Sequence, residues 1–193
     1  MQINISFNPS RLRLSAWSQV GLLAVAGSIF LTACGTTSGL QNTQGQSIAS
    51  TQKFSKVVVQ DFKLSIPEFS EKATSSKTYF PDQIATEIKK TGKFANVSRT
   101  GKPDADTLVI NGVITKYKEG NPQLRLWIGM GAGSSFFEAT VDFRDHKGGK
   151  IGTINVDKNS WALGGAIAAG QGPQSFMDGA ADKIAEESAK LAK

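Results

Sequence analysis

A chain of 193 residues, 39% hydrophobic and 20% charged, holds one domain plus some length outside it. Its net charge is +6, with a single cysteine, Cys34, and a single histidine, His146. One cysteine excludes an internal disulfide framework, a four-cysteine zinc site and a CxxC redox pair. One histidine excludes a clustered-histidine metal site, so no metal and no cofactor is expected.

Residues 1–33 read as an address rather than as part of the fold. Arg11 and Arg13 are the only charges before Lys53, and they precede an apolar run from Val20 to Leu31 that ends at Thr32-Ala33-Cys34. A basic segment, an apolar stretch of about 7–15 residues and small residues at its end describe a secretory signal. A spanning helix needs about 20 apolar residues, more than this run has. Leu31-Thr32-Ala33-Cys34 resembles the lipobox of bacterial lipoproteins. That resemblance implies cleavage between Ala33 and Cys34 and diacylglyceryl attachment to the Cys34 thiol. With Gly35 rather than an aspartate after the cysteine, it also implies outer-membrane sorting in a Gram-negative cell. Loss of residues 1–33 removes two arginines and no acid, so +6 falls to +4. The lysines are scattered rather than striped, which gives no reason to expect a nucleic-acid partner.

Residues 34–53 are small and polar, without aromatics or periodicity. They are expected to form a tether of roughly 25 Å root-mean-square span. Residues 54–193 are expected to fold as one α+β domain, with a mostly antiparallel sheet covered by two helices. The β-branched run Lys56–Phe62 reads as a buried strand, and residues 63–77 as a polar loop in which Phe69 is a packing candidate. Phe80, Ile84 and Ile88 set a helical stripe between Tyr79 and Gly92, with Pro81 in its first turn and Gly92 closing it. Strands are expected at Phe94–Ser98, Thr107–Tyr117 and Leu124–Ile128. Phe136–Arg144 and Lys150–Val156 make a hairpin around Asp145-His146-Lys147-Gly148-Gly149. A final helix spans about 174–191, with a narrow face of small residues suited to close packing.

No motif assembles a catalytic set. Gly129-Met130-Gly131-Ala132-Gly133 has the wrong spacing and context for a dinucleotide loop, and Gly148-Gly149-Lys150 lacks the rest of a P-loop. Both read as turns. His146 sits in a hairpin turn without an orienting partner or shaped pocket. Asp104 with Asp106, and Asp142 with Asp145, suit turn chemistry as well as a ligand pair. The expected set of catalytic residues is therefore empty. The run 162–170 is rich in glycine and alanine and too short to span a bilayer as a helix. It is either packed on the domain or an oligomer or membrane contact.

From about Val57 to Ala189 the chain resembles a bacterial lipoprotein family known only as domain of unknown function 4410. The residues that carry this are Asp104-Ala105-Asp106 leading into Ile110–Ile114, then Gly120–Arg125, Gly129–Gly133 and Val141–Asp145. The resemblance implies a lipid-anchored envelope protein without an assigned activity. Val57–Thr115 is also similar to the first half of periplasmic assembly lipoproteins, among them the curli-secretion channel lipoprotein and the activators of penicillin-binding proteins. This likeness implies docking of an envelope partner through sheet edges and helix faces. The candidate surface is the loop 120–135, with Asn121, Arg125 and Trp127 as contact residues. Self-association into a ring or channel through 162–170 is the second reading, and small-ligand binding or hydrolysis the third.

Overall fold

A computed structural model of the chain describes residues 35–42, 44–45, 52–67, 70–128, 132–160 and 170–193, apart from the side chain of Arg125. The strands are β1 (Gly35–Thr37), β2 (Lys56–Val59), β3 (Lys63–Leu64), β4 (Asn96–Ser98), β5 (Thr107–Lys118), β6 (Phe136–Arg144) and β7 (Lys150–Asn159). The helices are α1 (Glu71–Lys90), α2 (Pro122–Trp127) and α3 (Pro173–Ala189). The α+β class is as expected. The sheet is mixed, in the order β1-β7-β6-β5-β2-β4, with β3 also against β5. The long β5–β6–β7 meander and β1 are antiparallel, whereas β2 runs parallel to β4 and β5, and β3 parallel to β5. A helix of 20 residues joins β2 to β4, and a crossover of that kind is what lets two strands run parallel.

Alternation along β6 decides which face is covered. Phe137, Ala139, Val141 and Phe143 are buried while their neighbours are half-buried. Both long helices lie on that buried face. Helix α3 brings Ala180, Ala181, Ile184 and Ala185 into the core, and its alanines allow the close approach expected from its small-residue face. The core runs from Leu40 to Leu191, and every described residue belongs to one compact unit, Ala33–Lys193. A chain that starts at Cys34 therefore contains all of this core.

Helix α1 begins about eight residues before the expected start. Ser70 caps it by accepting a 3.0 Å hydrogen bond from the Ala73 N–H, and Ala73 and Ser76 extend the buried stripe of Phe80, Ile84 and Ile88. Pro81 consequently lies inside the helix rather than in its first turn. A mid-helix proline has no N–H for the carbonyl four residues back, which here belongs to Lys77. The Phe62 N–H donates to that carbonyl at 2.9 Å, so the defect is repaired by the segment between β2 and β3. Phe69 lies outside the described residues.

Two further expectations change. Leu124–Ile128 is not a strand: Pro122–Trp127 is helical, started by Asn121 as cap and Pro122 at the first turn. That pair is a helix-start signal as well as a turn signal. The segment read as a tether, 34–53, contains β1, which pairs along β7 with Gly35 opposite Lys158 and Thr37 opposite Val156. Strand pairing through backbone groups needs no large apolar side chains, and just beyond β1 Leu40 is buried in the core.

Glu187 of α3 holds that segment. Its buried carboxylate accepts from the Leu40 N–H at 3.3 Å and pairs with Lys183 at 3.2 Å and Lys190 at 2.7 Å. Burial pushes the Glu187 pKa up, but the hydrogen bonds from Lys190, Leu40 and Lys183 outweigh it and hold the group below the ordinary 4.5. A carboxyl with a lowered folded-state pKa contributes stability that is fully present above the unfolded value and is lost as pH falls through the folded one. Thermal unfolding followed downward from pH 4.5 should therefore show a steeper loss for the wild type than for Glu187→Gln. Equal slopes would show that Glu187 does not hold the segment through its charge.

Candidate functional site

The loop between β5 and β6 stands at one end of the sheet and is built around α2. Asn121 Oδ1 accepts from the N–H groups of Gln123 at 3.0 Å and Leu124 at 3.2 Å. The Asn121 N–H donates to the Gly133 carbonyl at 2.8 Å and closes the loop. Gly133 is at φ +68°, and a Cβ there would lie 2.5 Å from the Asn121 carbonyl oxygen. Only glycine fits that close approach, so the last glycine of 129–133 serves as a turn. Residues 129–131 lie outside the described residues. Ser135 ties the loop to its surroundings, donating through its hydroxyl to the Glu119 carbonyl and through its N–H to Ser160 Oγ at 2.9 Å.

What the loop presents is apolar. Trp127 is 83% exposed, Ile128 62%, Leu126 49% and Leu124 41%, and these are the exposed large hydrophobics among the described residues. Isolated exposed apolar residues are ordinary, but a contiguous group marks an interaction site. Of the three contact residues expected from the sequence, Trp127 is exposed, whereas the Asn121 side chain is occupied as the helix cap. The Arg125 side chain lies outside the described residues. Leu124, Leu126 and Ile128 were missed as surface residues because a strand reading placed them in the sheet. Beside α2 a groove of about 290 Å³ runs between the start of α1 and the start of α3, bordered by Lys72, Tyr117, Glu119, Pro122 and Gln174.

The other acidic candidates are held in ion pairs and turns. Asp104 accepts from Lys56 at 2.6 Å and from the Thr107 hydroxyl at 2.6 Å, and these bonds hold its carboxyl down at about 2. Asp106 pairs with Lys193 at 2.6 Å. Asp142 faces a depression of about 390 Å³ on the uncovered face of the sheet. Burial pushes its pKa up, but bonds from Lys150, Thr153 and Arg144 pull it below the ordinary carboxylate value. Asp145 Oδ1 accepts from the N–H groups of Lys147 and Gly149 at 2.8 and 2.7 Å, forming the hairpin turn that carries His146. Among the described residues, no three His, Cys, Asp or Glu side chains gather as metal ligands, and no helix is long and apolar enough to cross a membrane. Cys34, Ala33 and residues 162–169 of the run 162–170 lie outside the described residues.

The fold and this site define a class: a two-layer α+β domain with a mixed sheet, carrying a short apolar helix exposed at one end. Within that class, the profile of the family described as Domain of unknown function (DUF4410) matches residues 42–164, and the chain belongs to it. No curated protein matches the chain. Among solved structures it is similar to the PelC dodecamer from Paraburkholderia phytofirmans, at 13% identity and a TM-score of 0.46, covering 77% of this chain and 98% of that one. A point variant of the same PelC dodecamer gives 14% identity and a TM-score of 0.50, with 82% and 98% covered. At such identities the likeness is one of fold.

Proposed function

We propose that the protein is a lipid-anchored module of the bacterial cell envelope, held by an acylated Cys34 and facing the periplasm from the outer membrane. It acts by binding through the α2 surface rather than by catalysis. The observation that carries the binding role is the exposure of Leu124, Leu126, Trp127 and Ile128 together on one loop. The acidic side chains that a catalytic reading needs are instead engaged in ion pairs and turns. The anchor rests on the Leu31–Cys34 motif and on the apolar run before it. Two acyl signals are needed for stable anchoring, since one chain alone binds only marginally, and a multiply acylated cysteine supplies them.

Growth of cells expressing the full chain with an alkyne-bearing fatty acid tests the anchor. Label on the wild type and none on Cys34→Ser is the expected result; an unlabelled wild type, or equal label on Cys34→Ser, overturns it. A second reading, a subunit that self-assembles into a ring, is favoured by the fold shared with the PelC variant, whose solved form is a dodecamer. Sedimentation of residues 34–193 distinguishes the two, because a ring subunit gives a concentration-dependent oligomer.

A further inference from the structure

Gly35, the first described residue, lies opposite Lys158 at the end of β7. Lys158 lies opposite Phe137, and Phe137 opposite Tyr117 near the end of β5. Strand β5 leads directly into α2. The chain therefore enters the sheet at the same end at which α2 stands, three strand spacings away, or about 14 Å at roughly 4.8 Å per spacing. Cys34 is one residue, about 3.8 Å, before Gly35. A flexible tether would let an anchored domain turn any face to the membrane. Because β1 is paired from Gly35 onward, an anchor at Cys34 leaves no slack, and this end of the sheet must face the bilayer.

We infer that α2 is a membrane-docking helix, and that the partner of the exposed Leu126, Trp127 and Ile128 side chains is the lipid surface in which Cys34 is anchored. This rests on the lipoprotein reading above and names the occupant of the same surface. The side chains suit that place. Trp127 has an apolar body with an N–H that stays satisfied at headgroup depth, which is why tryptophan concentrates at membrane interfaces. Leucine and isoleucine beside it reach the acyl boundary, as on helices that lie in the interface. Lys118, which ends β5 with its ammonium 5.9 Å from the Phe136 ring centroid, and Lys158 stand at the same end of the sheet, where cations gain from anionic headgroups. The acyl chains hold the domain at the surface, and α2 fixes how it stands there.

The test uses residues 34–193, which contain the whole core, with Trp161→Phe so that Trp127 is the only tryptophan. Cys34, the only cysteine, is coupled to a maleimide headgroup in vesicles of phosphatidylethanolamine and phosphatidylglycerol whose acyl chains are brominated. Docking predicts a blue-shifted and strongly quenched Trp127 emission. Leu126→Ser with Ile128→Ser should lose most of the quenching at an unchanged melting temperature. An unquenched Trp127 in the coupled protein overturns the inference, whether sedimentation then finds single copies or finds α2 covered by a second copy. Quenching that survives the double substitution at an unchanged melting temperature also overturns it. The anchor is supplied chemically, so this outcome is independent of cellular acylation, and a wild type without fatty-acid label fails the lipoprotein reading alone.

Discussion

Replacing Phe80 with alanine is expected to lower the unfolding free energy by about 3–5 kcal/mol, a large part of the roughly 5–15 kcal/mol that holds a domain together. The Phe80 ring is fully buried. It meets Phe62 edge-on at 5.3 Å and Phe137 edge-on at 5.1 Å, so one side chain joins α1, the segment after β2 and strand β6. Such aromatic pairs add about 0.5–1.5 kcal/mol to the burial of area. Removal of the ring leaves a cavity that backbone on three elements must shift to fill. Urea unfolding measures the effect as a lower midpoint at unchanged slope. A loss under about 1 kcal/mol, below the usual range for such truncations, would show that Phe62 and Phe137 close over the space.

Gly112→Val is expected to cost at least the roughly 1–3 kcal/mol of an overpacked core. Gly112 faces the helices from the middle of β5, and the Phe62 ring lies directly over it. A Cβ there would sit 2.6 and 2.9 Å from two Phe62 ring carbons and 2.5 Å from the Thr140 carbonyl oxygen. The added side chain must expel the Phe62 ring, and the Phe62–Phe80 contact goes with it. A double-mutant cycle with Phe62→Ala reads that coupling. Gly112→Val should cost less in the Phe62→Ala background. An undiminished cost would put the strain on the β6 backbone instead.

Much of the scaffold was legible because its side chains repeat with the period of the element. The alternation of β6 and the four-residue spacing of Phe80, Ile84 and Ile88 each name one buried face, and both faces meet in the core. Gly92 and Gly148 were readable as turn residues, and both have positive φ. The elements misread are those held by partners far away in the chain. The first turns of α1 are rich in serine, threonine and lysine, and their helical register shows only where Ala73 and Ser76 meet the core. Leu124–Ile128 has the composition of a strand, and it is helical because Asn121 and Gly133 close a loop too tight for one.

The sequence by itself determined the α+β class, the main buried faces, the lipobox-like motif at Cys34 and the loop that carries Trp127, since each depends on residue type and local spacing. Tertiary structure alone decided three things. It made the sheet mixed, because strand direction depends on which neighbour each strand meets. It allowed Pro81 inside α1, because the Phe62 N–H takes the carbonyl that the proline leaves free. It also turned the first residues of the supposed tether into an edge strand, because β7 offers unpaired backbone groups that no local pattern in residues 35–42 could announce.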